Sequence, residues 1–141
     1  MNKMRYFKYS EFIVSATARK MGINNNFPND VVKRNINLLV INILDVCRSY
    51  IGEPIYVTSG YRCPLLNRAV GGAKNSQHMQ GKAADITTLS RKSNMEIFDF
   101  IIEMGDFDQL IEYHNYSFIH VSFDWDKYLN HTLRKQVLHV K

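Results

Sequence analysis

The stretch Ser76-Gln77-His78-Met79-Gln80-Gly81-Lys82-Ala83-Ala84-Asp85-Ile86-Thr87 joins a polar loop to a short apolar run. Residues Ala83 to Thr87 have the length and composition of a strand, and Gly81 permits a tight turn just before it. A loop folding back onto that strand brings His78 and Asp85 toward one point. Further along, Ser117-Phe118-Ile119-His120-Val121-Ser122-Phe123 alternates. Ile119, Val121 and Phe123 face a core, and Phe118, His120 and Ser122 project from the other side. Two imidazoles and one carboxylate match the ligand set of a catalytic zinc ion, which takes three protein ligands and leaves a fourth position to water.

Outward from these segments, Ile55 to Ser59 and Gln109 to Tyr113 also read as strands. The clearest helix spans Asp30 to Ile51. Ile36, Leu39, Val40, Ile43, Cys47 and Tyr50 form one apolar stripe, Asn29 is a candidate N-cap and Gly52 a candidate C-terminal stop. A second helix is expected from Asn94 to Met104, with Ser93 and Glu96 at capping-box spacing and Gly105 beyond its end, and a short one from Pro64 to Val70. The connections are too short for regular βαβ crossovers. The expected class is α+β, a small and largely antiparallel sheet flanked by helices.

A chain of 141 residues with 45% hydrophobic residues can bury a core without disulfides, so one domain over 1–141 is expected. Cys47 and Cys63 show no C-x-x-C spacing and read as free thiols. No stretch approaches a membrane span, and Met1 to Lys20 is too interspersed with charge for a signal peptide. The net charge of +5 favours anionic partners. Its even spread along the chain argues against a nucleic-acid groove.

Four blocks carry a family resemblance. They are Val57-Thr58-Ser59-Gly60-Tyr61-Arg62, Asn67-Arg68-Ala69-Val70-Gly71-Gly72, Ser76-x-His78-x-x-Gly81-x-Ala83-x-Asp85, and Phe107-Asp108-Gln109 followed by Ile119-His120-Val121-Ser122. In order and spacing the chain resembles the zinc-dependent D-Ala-D-Ala carboxypeptidases and related peptidoglycan endopeptidases of bacteria and phages. Lys8-Tyr9-Ser10-Glu11-Phe12 and the long helix resemble that family's N-terminal part. The resemblance implies a Hedgehog/DD-peptidase-like fold, Zn2+ as cofactor, and His78, Asp85 and His120 as its ligands.

It also implies a residue for proton transfer two or three positions before the final histidine. Here Ser117 and Phe118 stand there, and neither can act as a base. Glu112 is the nearest preceding carboxylate, and a hairpin through Tyr113 to Tyr116 would return it to the metal, so it is the expected acid/base. Asp108 and His114 are the alternatives. Arg62, after a strand and the Ser59-Gly60 turn, suits a two-pronged contact with a substrate carboxylate. Ser76 is implied as a donor in the same pocket, and Gln109 as a weaker contributor. Trp125 and Tyr128 read as packing aromatics. His131, His139, Arg134, Lys135 and Lys141 read as a solvated C-terminal segment.

These features together predict a monomeric zinc metallopeptidase cutting an amide bond in peptidoglycan stem peptides. A carboxypeptidase and an endopeptidase, including a phage endolysin reaching the wall on lysis or within a particle, remain open. The alternative is a zinc-containing module that binds the wall without cleaving it.

Overall fold

The computed structural model describes residues 3–141. After a 3-10 turn at Tyr9–Phe12 come α1 (Ala16–Met21), α2 (Asp30–Leu39), a π-helical segment at Val40–Leu44, and α3 (Asp45–Ile51). There follow β1 (Tyr56–Ser59), α4 (Pro64–Ala69), a 3-10 turn at Gln77–Gln80, β2 (Ala83–Thr87) and α5 (Arg91–Met104). β3 (Gln109–Tyr113), β4 (Phe118–Ser122), α6 (Trp125–Leu129) and β5 (Gln136–Val140) complete the order. The sheet runs β1-β2-β4-β3-β5. Three pairings are antiparallel, and β5 joins β3 in parallel. The expected α+β class with a largely antiparallel sheet is borne out.

The two faces of the sheet have different fates. Ala84, Ile86, Leu110, Ile119 and Val121 point into a core that also takes Ile36, Leu39 and Ile43 from the long helix and Ile97, Phe98 and Ile101 from α5. Each such fully buried aliphatic side chain stabilises by about 1.5–3 kcal/mol relative to exposure. The opposite face carries Asp85, Ile111 and His120, which stand side by side in register across β2, β4 and β3. Burial therefore holds the sheet from one side and leaves the other for chemistry.

The long helix begins and ends where expected. The Asn29 side chain accepts from the Val32 N–H, and Gly52 closes it. Its middle differs, because the Asp45 N–H reaches back five residues to the Val40 carbonyl. That wide turn shifts the phase of the apolar stripe. Ile51 packs against the core, whereas Tyr50 lies outside, 54% exposed, stacked on Phe100 at 4.0 Å. Cys47 stays in the core, where burial pushes its thiol up to about 12. A second correction concerns α5. It starts one turn early, because the Ser90 hydroxyl accepts from the Ser93 N–H and takes the capping role expected of Ser93.

The C-terminal segment is ordered rather than a loose tail. The carboxylate of Asp124 caps α6 through the Lys127 N–H, and Trp125 and Tyr128 stack at 5.5 Å against the core. Beyond it, β5 pairs residue for residue with β3.

Candidate metal centre

Asp85 on β2 and His120 on β4 are direct partners in the antiparallel ladder, which brings their side chains together on the outer face. His120 Nδ1 lies 2.9 Å from Asp85 Oδ1. His78 comes from the turn just before β2, and its Nε2 is 3.3 Å from the same oxygen. The turn is closed by Gly81, whose φ of +73° suits glycine, and a Cβ there would meet the Val32 carbonyl oxygen at 2.5 Å. His78 Nδ1 donates to the Gly60 carbonyl at 2.7 Å, which leaves Nε2 as the lone-pair nitrogen facing Asp85.

The donor atoms of His78, Asp85 and His120 all fall within 4.8 Å of one another, so the group could hold a metal ion. Ligands about 2.0–2.1 Å from a tetrahedral zinc ion stand roughly 3.3 Å apart, close to the 3.3 and 2.9 Å separations from Asp85. His120 Nε2 is buried with no partner among the described residues, so this ring has hydrogen-bonding or ligating capacity that the chain itself does not use. Burial pushes the Asp85 carboxyl up, but hydrogen bonds and charge from His120 and His78 more than reverse this and hold it well below the usual carboxylate range. An ionised carboxylate between two imidazoles suits a divalent cation.

The cluster lies in a cleft of about 580 Å³. Arg62 lines it, held by Nε to the Ser59 hydroxyl at 3.1 Å and by Nη1 to Asn67 Oδ1 at 3.2 Å, with Nη2 3.7 Å from Asp85 Oδ2. Gly72 makes room for this arrangement, since a Cβ there would collide with Asn67 Oδ1 and come within 2.9 Å of Arg62 Nη1. Ser76 lines the cleft and also caps the turn, accepting from the His78 N–H at 3.2 Å.

Glu112 does not join this group. Strand alternation places Gln109, Ile111 and Tyr113 on the cleft side and turns Leu110 and Glu112 away. The Glu112 carboxylate accepts from the Tyr116 N–H at 3.2 Å and meets His139 Nδ1 at 2.8 Å. It thus braces a hairpin in which His114, Asn115 and Tyr116 all have positive φ. Its expected acid/base role is corrected on that geometry. The alternatives fare no better. His114 sits in the turn, and Asp108 is fully buried, accepting from the Gln77 amide, the Arg134 backbone and guanidinium, and the Lys127 ammonium. Asp85 is the one carboxylate lining the cleft among the described residues.

Sequence reasoning missed Ile111, Tyr113, Phe118, Gln77 and Arg134 as cleft residues. The first three were within reach, because Ile111 lies opposite His120 and Tyr113 opposite Phe118 in a simple antiparallel hairpin. The Tyr113 ring stacks on Phe118 at 4.6 Å. Burial raises its phenol above the ordinary value, with the Asp85 charge acting in the same sense and Arg62 against it, so the hydroxyl stays protonated and donates.

A two-histidine, one-carboxylate centre on the open face of an α+β sheet is the ligand set of a mononuclear zinc hydrolase. The peptidase M15 family model matches residues 5–122, and the chain belongs to that family of zinc metallopeptidases. The resemblance noted from the sequence and the zinc dependence it implied are both borne out. No curated protein matches the sequence. No helix among the described residues is long and apolar enough to cross a membrane.

Proposed function

We propose that residues 1–141 act as one monomeric zinc peptidase domain hydrolysing an amide bond in peptidoglycan stem peptides, as a D-Ala-D-Ala carboxypeptidase or an endopeptidase of the endolysin kind. The observation that carries this reading is the convergence of His78, Asp85 and His120 on the floor of a cleft that also holds Arg62. Zinc bound by these three would supply Lewis acidity, namely a water with its pKa lowered to about 7 and a polarised scissile carbonyl. Around it, His78 stays neutral through its bond to Gly60, and Asp85 stays ionised. Arg62, already oriented by Ser59 and Asn67, receives a substrate carboxylate, and Ser76 donates beside it. Ile111 and Phe118 form apolar walls that limit water. The Tyr113 hydroxyl takes the donor role that Glu112 is turned away from, protonating the departing amine.

The test is incubation of the zinc-loaded protein with purified peptidoglycan, followed by mass spectrometry of the soluble fragments. New peptide termini that appear only with zinc support the enzyme and identify the bond. A second reading, a zinc-containing wall-binding module, draws on the absence of a second carboxylate from the cleft lining. Zinc uptake and retention on the wall without soluble products would favour it.

A further inference from the structure

We propose that Arg134 is a specificity residue of the same cleft, reading a second carboxylate on the peptide besides the one that Arg62 receives. This inference rests on the peptidase reading above. Arg134 lies beyond the 5–122 span matched by the family model, in the segment between α6 and β5, yet it lines the cleft together with Arg62, His78 and Asp85.

Its placement is built rather than incidental. Asp108 accepts from the Arg134 backbone N–H at 2.9 Å and from Nε at 3.0 Å, and its Oδ2 is 2.9 Å from Nη2. Nη2 also reaches Gln77 Oε1 at 3.3 Å, and the Gln77 amide returns to Asp108 at 3.0 Å. Gln77 is the residue before His78, so this triangle ties the guanidinium to the rim of the metal centre. Nη1 has no partner among the described residues, and the side chain is 46% exposed, so two N–H groups are offered to the cleft. Fixing an arginine costs about 2 kcal/mol of rotamer entropy, most of which is met here before any ligand arrives.

Charge points the same way. The Lys127 ammonium stands 3.4 Å from the same Asp108 oxygen, so one carboxylate faces two cations and leaves a positive surplus at the rim. With Arg62 in the same cleft, the lining matches a peptide carrying two acidic groups better than one carrying a single terminal carboxylate.

The experiment uses stem pentapeptides in which each carboxylate is replaced in turn by its carboxamide, assayed with the zinc-loaded wild type and with Arg134→Gln and Arg134→Lys. One replacement is expected to lower wild-type kcat/KM tenfold or more through KM, and the same replacement should cost Arg134→Gln less than threefold. Arg134→Lys should restore part of the preference. Parallel loss on every peptide in Arg134→Gln, with each preference intact, would make the residue a structural latch and overturn the proposal. All variants keep the backbone N–H that Asp108 accepts, and thermal melts check that they fold. Calorimetric binding of the same peptides separates the two ideas. A wild type that binds with the Arg134-dependent preference but turns nothing over refutes the peptidase reading alone, whereas turnover without that preference refutes this inference alone.

Discussion

Glu112 and His139 join two parallel strands on the side of the sheet turned away from the metal centre, with Glu112 Oε2 2.8 Å from His139 Nδ1. Because the same carboxylate accepts the Tyr116 N–H, it braces a turn of three left-handed residues. Glu112→Gln is therefore expected to retain zinc and turnover and to lower stability by about 1 kcal/mol, with Glu112→Ala costing about 1–3 kcal/mol through the lost acceptor. Chemical denaturation alongside the fragment assay checks this, and a folded Glu112→Gln protein that holds zinc but makes no product would return the residue to the chemistry.

His120 and Asp85 face each other across β2 and β4, so removing either ring or carboxylate breaks the donor set without opening the core behind it. His120→Ala should lose bound zinc at micromolar concentration and all turnover while keeping its far-ultraviolet dichroism. Chelation of the wild type should do the same, reversibly. A zinc-replete, active His120→Ala protein, by elemental analysis and fragment assay, would dismiss the ligand set.

Tyr113 offers the hydroxyl in the cleft that Ser117 and Phe118 cannot supply from their positions. Tyr113→Phe keeps the stacked ring against Phe118 and removes only the donor. The expected result is a fall in kcat of about 10²-fold or more with KM and zinc content nearly unchanged. An unchanged kcat would move proton delivery elsewhere.

Asp108 links stability to pH. Burial alone would raise its carboxyl, but the hydrogen bonds and charge of Arg134, with help from Gln77, bring it down to about 2 from an ordinary 3.8. A carboxyl depressed in the folded state stabilises fully above its unfolded value, and that contribution drains away as pH falls from about 4 toward 2. The amount is on the order of 1–2 kcal/mol, since Arg134 and Lys127 are partly solvated. Melting temperatures across this range should drop less steeply for Asp108→Asn than for wild type, after that variant's lower starting stability is allowed for. Parallel curves would show that the carboxylate is not the linked group.

The elements that frame the metal centre were legible to within a residue, because Ala83–Thr87, Gln109–Tyr113 and Phe118–Ser122 each carry strand composition bounded by turn residues. The ligand trio was legible because Asp85 and His120 interrupt apolar alternation on the outward face. Glu112 was misassigned by ignoring that same alternation, which puts it with Leu110 and not with Ile111. β5 escaped notice because all five of its residues are exposed at an edge and its partner strand is parallel and distant in sequence. No local pattern marks such a pairing. Arg134 depended on β5 and could not be placed without it.

The wide turn at Val40–Leu44 makes chain length itself a structural variable in the long helix. Deleting one residue there would restore regular α-helical spacing, yet it would rotate α3 by about 100° relative to α2. Cys47 and Ile51 would swing out of the core, and Val46 and Tyr50, now outside, would turn toward it. Insertions and deletions in this helix are thus coupled to which face is buried, and the segment accepts changes of side chain on its outer surface more readily than any change in its count of residues.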